Sequence, residues 1–380
     1  MSELNASNLR KEQGNEGPDL VGVTELTSPY FMVPPSGSTA ERPLNPEPGT
    51  LRFNTDSGSL EYFKGDTLGW QTIDRVYNNF EGGARGLFGG GMTPTNQDVI
   101  DYISISTLAN AVDFGNLVAA TGLAATASSR TRGIWAGGYA PNSSTKTDKI
   151  DYVTISSTGN GTDFGNLLAA RIGNWGLGSQ TRGVFGNGKA PSSEDNVIQY
   201  LTIASTGNTV DFGDAAVVGY LGSGLASSTR GVFAMGISGA PARVNIINYV
   251  TIATTGNASD FGDLTTARMP SGTGSNATRG LFGGGETASA GTNTIDFITI
   301  ATVGSAVDFG DAAYTNANNQ AGGCASPTRV VFGGGATPAG GNRDDMCYVE
   351  TMTTGNAVDF GNLSVARQYA AGLSNAHGGL

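Results

Sequence analysis

The sequence predicts an all-β protein built mainly from a six-fold array of short strands. Three observations carry that prediction. First, one pattern recurs six times from about residue 80 onward, with successive landmark arginines (Arg85, Arg132, Arg182, Arg230, Arg279, Arg329) 47, 50, 48, 49 and 50 residues apart. Second, the periodic segments are β-branched and alternating, and none has a helical period. Third, 59 of 380 residues are glycine, about twice the usual share, and they recur beside the same strands and turns.

The elements follow in chain order. Residues 1–30 are read as an extended N-terminal arm; residues 1–19 are polar and have no core of their own. Residues 31–75 are read as a small β-hairpin module. It opens on a linker-like stretch at 34–43, rich in Pro, Ser and Gly. Two strands follow around an Asn-Thr-Asp-Ser-Gly turn at Asn54 to Gly58, and Trp70 supplies a large apolar residue. A unit this small buries little by itself, so it is expected to need a partner or self-association.

Residues 76–380 hold the repeat. The arginine opens a strand such as Arg279-Gly280-Leu281-Phe282, which ends in glycines. An aromatic then opens an alternating strand: Tyr102, Tyr152, Tyr200, Tyr249, Phe297 and Tyr348. A Thr-Gly-Asn turn follows, suited to a tight hairpin. Next comes Asp-Phe-Gly, with Asp113, Asp163, Asp211, Asp260, Asp308 and Asp359 spaced by 48 to 51 residues. A fourth strand is expected after it, as from Ala267-Arg268 onward. Four strands in this span match one blade of a β-propeller.

The double glycine closing an apolar strand, the aromatic strand and the late aromatic (Gly137-Gly138, Tyr152, Phe164) resemble kelch repeats. Phe stands where kelch blades carry Trp, and the double glycine is eroded at Gly186-Asn187-Gly188 and Ala234-Met235-Gly236. The expected fold is therefore a six-bladed, kelch-like propeller preceded by the hairpin module and the arm. Its closure is read from the tail, because Ser374-Asn375-Ala376 aligns with Ser275-Asn276-Ala277. The tail is expected to supply the missing strand of the first blade, leaving no free edge. The competing occupant of that slot is residues 75–84.

Arg and Asp recur once per repeat in a chain poor in charge. The expectation is that Arg132, Arg182, Arg230, Arg279 and their equivalents pair with the Asp-Phe-Gly aspartates or other carboxylates of the same or the neighbouring blade. The alternative is that both lie at exposed strand ends and contribute little. Asp-Phe-Gly is read as structural, with Phe packed between blades and Gly in a turn. The kinase reading lacks its companion motifs.

Composition excludes several classes. The glycines have no three-residue period, so collagen is out. Net charge is −11, which argues against a nucleic-acid partner. No apolar run is long enough to span a membrane as a helix, and the polar N-terminus lacks a signal-peptide core. One histidine, His377, leaves little room for metal or triad chemistry. A paired-carboxylate site would occur once, not six times. No enzyme activity, cofactor or metal site is expected. Cys324 and Cys347 fall on strands separated by another and are expected to be free thiols.

Residues 35–73, from Pro-Ser-Gly-Ser-Thr-Ala-Glu-Arg-Pro through Gly-Thr-Leu-Arg-Phe-Asn-Thr-Asp-Ser-Gly-Ser-Leu-Glu-Tyr-Phe to Trp-Gln-Thr-Ile, are similar to a hairpin module of tailed-phage virion proteins. The resemblance is strongest to those of marine cyanobacterial phages. The glycine-rich repeats resemble arrays in the same class of proteins. The resemblance implies a virion structural protein or fibre, assembled in the host cytoplasm, docked to other virion proteins through residues 1–75, with the propeller as a knob. It also implies a homo-oligomer, with a trimer favoured.

Binding to a host-surface glycan or protein is the alternative role. Its candidate residues sit in the variable loops between the glycine strand and the aromatic strand: Tyr139, Asn142, Lys146 and Arg243.

Overall fold

The computed structural model describes residues 34–67, 69–72, 84–141, 145–239, 241–316 and 322–380. The arm at 1–30, and all of the competing closure segment except Ala84, lie outside the described residues. The chain divides into two compact units, Met1–Asn78 and Asn79–Leu380. The described part is all-β apart from one 3-10 turn, Thr39–Glu41.

The first unit is a four-stranded sheet in the order Ser36–Gly37, Leu51–Asn54, Ser59–Phe63, Trp70–Thr72. The hairpin expected around the Asn54–Gly58 turn is present, with Leu51 opposite Tyr62 and Asn54 opposite Ser59. The stretch read as a linker is more ordered than that. Ser36–Gly37 pairs in parallel with the Phe53–Asn54 end of the next strand, and the 3-10 turn follows. The pairing is anchored by charge: Glu61, fully buried, accepts hydrogen bonds from Arg42, Arg52 and Asn54. Both guanidinium groups also lie about 6 Å from the Trp70 ring.

The second unit contains six four-stranded antiparallel sheets among the described residues. Sheet 2 shows the order: Ala125–Ser128, Arg132–Ala136, Lys149–Thr154, Thr162–Asn166. The second strand is buried on both faces, which suits its unbroken Gly-Ile-Trp-Ala run. In the third strand Ile150, Asp151 and Val153 are buried, and Lys149 and Thr154 at its ends are exposed. Asp-Phe-Gly lies within the fourth strand, so the strand expected after it is the first strand of the next sheet. The shift arises because the first strands (Gly272–Ser275, Gly322–Ala325) are made of small residues and carry no alternating apolar signal.

The Thr-Gly-Asn segment is longer than a two-residue hairpin. Its glycine N–H reaches back to the preceding sheet, as from Gly207 to the Phe164 carbonyl at 2.8 Å. The following Asn208 accepts the Asn166 N–H at 3.0 Å. Asp-Phe-Gly answers it with a bulge: the register slips between Ile150 and Asp151, leaving Phe164 as the extra residue. Gly165 is held at φ +150°, and a Cβ there would lie 2.4 Å from the Gly207 carbonyl oxygen. Close approach of the two backbones therefore demands glycine.

The tail strand Ala371–Ser374 pairs antiparallel with Arg85–Gly89, Ala371 opposite Gly89 and Ser374 opposite Gly86. It stands first in sheet 1, ahead of Arg85–Gly89, Gln97–Ser104 and Val112–Thr121. The alignment of the tail with Ser275-Asn276 holds in detail. Asn276 Oδ1 accepts the Arg279 N–H at 2.8 Å, and Asn375 Oδ1 accepts the Arg85 N–H at 2.8 Å.

The sheets alternate in form. The fourth strands of sheets 1, 3 and 5 (Val112–Thr121, Val210–Gly219, Val307–Asn316) have 10 residues each. Those of sheets 2, 4 and 6 (Thr162–Asn166, Ser259–Asp263, Val358–Asn362) have 5. A two-sheet period therefore underlies the one-sheet period.

Candidate functional site

The six landmark arginines do not pair with the Asp-Phe-Gly aspartates. Each lies half-buried over the aromatic ring of its own sheet's third strand, Cζ 4.3 to 5.0 Å from the centroid. Each then donates from Nη1 to a backbone carbonyl in the next sheet. Arg132, Arg182 and Arg230 reach Ile203, Ile252 and Ile300 at 2.9 Å each. Arg85 reaches Ile155 at 3.1 Å and Arg279 reaches Thr351 at 3.2 Å. Arg329 reaches Ser106 at 3.1 Å, returning to sheet 1.

Among the described residues, Arg329 is the one landmark arginine with an ion pair, to the exposed Glu350. Asp113, Asp163, Asp211, Asp260, Asp308 and Asp359 are all exposed. The physical reason is position. The arginine faces an aromatic ring and a carbonyl left unpaired at the end of a third strand, and a guanidinium satisfies both.

Among the described residues of the second unit, the buried ion pairs belong to other arginines, at the end of the Ala-Arg segments that follow every second Asp-Phe-Gly. Arg268 and Asp296, both fully buried, meet at 2.8 Å, and Arg367 and Asp101, both fully buried, at 2.9 Å. Arg171 meets Asp195 at 3.1 Å. Burial pushes the Asp195 carboxyl up and the Arg171 guanidinium down, each opposed by the other's charge. Every one of these pairs ties sheet 2, 4 or 6 to the sheet that follows it.

At the sheet 1 to sheet 2 junction Thr121 occupies the arginine's place. Asp151, the counterpart of Asp101 and Asp296, is buried and makes no ion pair among the described residues. It accepts the Val118 N–H at 3.0 Å. Burial, with a smaller push from Asp163, raises its carboxyl to about 6.

The loop residues are engaged in the same traffic. The Lys146 Nζ donates to the Ala190 carbonyl of sheet 3's hairpin, and burial lowers its pKa. Arg243 pairs with Glu286 of sheet 5's hairpin at 2.7 Å. Tyr139 is half-buried, and its carbonyl accepts from Thr121 Oγ1 at 2.8 Å. Asn142 lies outside the described residues. Cys324 and Cys347 are both free and buried, on the first and third strands of sheet 6.

The first strands of all six sheets line one cavity of about 110 Å³. Its wall is mostly Gly, Ala, Ser and Thr. The hydroxyls are already committed: Thr126 Oγ1 donates to the Gly372 carbonyl at 2.8 Å, Ser128 Oγ to the Ser374 carbonyl at 2.7 Å, and Ser275 Oγ to the Ala226 carbonyl at 2.8 Å. Residues 375–380 lie across one end. His377 is also in the wall; in the sequence it stands as a lone histidine, and nothing in the repeat pattern marks it as part of the cavity.

Among the described residues, no group of three or more His, Cys, Asp or Glu is placed to hold a metal ion. No helix among them is long and apolar enough to cross a membrane. No protein-family model matches the chain, and no curated protein matches it.

Proposed function

We propose that the six sheets are the blades of a closed, kelch-like β-propeller, and that the protein is a structural component of a tailed-phage virion. On this reading the N-terminal region docks to neighbouring virion proteins and the propeller projects as a rigid knob. The observation that carries the propeller is cyclic. First strands touch in the order 1 to 6 and back to 1, and the arginine ties run the same circuit, from Arg85 to Arg329 and back to Ser106. Such a circuit spends the recurrent polar groups on rigidity, which suits an appendage. The virion assignment rests on the hairpin motif of residues 35–73.

Cross-linking of purified particles, read by mass spectrometry, tests the assignment. Links from residues 1–75, including Lys64, to other virion proteins are expected. Absence of the protein from purified particles, or links confined to residues 84–380, contradicts it.

A further inference from the structure

We propose that residues 375–380 form an acid-released seal over one end of the cavity where the six first strands meet. The segment leaves sheet 1 and touches four others. His377 Nε2 lies 3.1 Å from the Ser128 carbonyl of sheet 2. The Gly378 N–H donates to the Ser275 carbonyl of sheet 5 at 2.8 Å. Gly378 also packs on the Ala226 carbonyl of sheet 4, and Gly379 on the Gly178 carbonyl of sheet 3. A Cβ on these two residues would lie 2.7 and 2.0 Å from those oxygens.

The imidazole holds the segment in place. Its two contacts fix the tautomer. The Ser128 carbonyl can only accept, so Nε2 carries the proton. The Gly379 N–H, 3.1 Å from Nδ1, can only donate, so Nδ1 is bare. A second proton on Nδ1 would set two donors face to face and place a charge in a buried site. The first strands that the segment touches end in Ser128, Gly178, Ala226 and Ser275, the first of them at the ring itself. The next titratable groups along them are Arg130, Arg132, Arg182, Arg230 and Arg279. Burial accordingly pushes the ring's pKa down to about 4, the Ser128 carbonyl opposing.

The sign follows. The unfolded segment takes a proton near pH 6.5 and the seated segment only near 4, so the seal is fully held above about 6.5 and is lost as pH falls between those values. Release uncovers the cavity and frees the strand Ala371–Ser374 at its end.

Hydrogen exchange on the intact chain tests this at pH 7.5 and 4.5, corrected for intrinsic rates. Opening of residues 371–380 should rise by roughly seventyfold at the lower pH, with the strand Arg132–Ala136 unchanged, and the rise should vanish in His377→Gln. No rise, a rise shared by Arg132–Ala136, or the same rise in His377→Gln overturns the proposal. The chain has one histidine, so an NMR titration of its imidazole in the wild type decides independently if the variant fails to fold. A midpoint near 4 supports the seal and one near 6.5 overturns it.

Discussion

Arg268→Met isolates the contribution of the buried pairs that join the sheets two by two. In the native protein the guanidinium, wholly buried, donates to Asp296 at 2.8 Å, to the Gly284 carbonyl at 3.0 Å and to the Phe282 carbonyl at 3.1 Å. Methionine keeps the apolar stem but strands a buried carboxylate. Asp296 retains only the Thr265 amide and hydroxyl. Breaking a buried pair by removing one partner costs about 3–5 kcal/mol, or roughly 6–10 °C in thermal midpoint for a unit of this size.

The repeat itself supplies the control. Asn248 and Cys347 occupy the Asp296 position in sheets 4 and 6, where the fourth strands of the preceding sheets end in Gly219 and Asn316 in place of the arginine. A neutral group there needs no cation. Arg268→Met with Asp296→Asn should therefore recover at least half of the loss. Urea unfolding of the two variants beside the wild type is the assay. A cost under about 1 kcal/mol for the single variant, or a double variant no more stable than the single, refutes the reasoning.

Three further outcomes are expected. Asp151→Asn should stabilise the protein at pH 7.5. The native carboxyl titrates near 6 in the fold against about 3.9 unfolded, so the ionised form costs roughly 2–3 kcal/mol above pH 6 and nothing below 4. Urea midpoints at pH 4.5 and 7.5 should differ less in the variant than in the wild type, apart from the His377 contribution, which has the opposite sign. Arg132→Ala removes the Tyr152 stack and the Ile203 tie, and should cost about 2 kcal/mol by denaturant unfolding; Arg132→Gln should not restore it. At pH 8 a thiol reagent should label neither cysteine until the chain unfolds, because burial pushes Cys347 to about 11 and Cys324 higher still.

The phase of the repeat was legible in the sequence because Arg, Tyr and Asp-Phe-Gly each occupy one structural position six times. So was the role of the tail, through the Ser-Asn pair that caps the arginine strand. The first strands were not: Gly-Gly-Cys-Ala and Gly-Thr-Gly-Ser have the composition of turns, and only the crowding of neighbouring backbones makes small residues necessary there.

The partners of the arginines lie beyond the range of a sequence pattern. A charge suggests a counter-charge, but the partner is a ring on the next strand and a carbonyl some 70 residues away, and no pattern announces a carbonyl. The two-sheet period had a visible trace. Arg171, Arg268 and Arg367 are 97 and 99 residues apart, masked by the stronger spacing of half that length. Of the loop candidates, Lys146 and Arg243 were found by length variation, which reports where the chain changes and not whether a side chain is free to bind.

The cyclic arrangement of six sheets sealed by the C-terminal strand is the claim on which the rest depends. Removing residues 367–380 deletes Ala371–Ser374, the Asn375 cap on Arg85 and the Arg367–Asp101 pair together. The thermal midpoint of the truncated chain, compared with the full chain by differential scanning calorimetry, tests it most directly. Loss of the cooperative transition, or a fall of well over 10 °C, is predicted. A midpoint unchanged by the truncation would contradict the account.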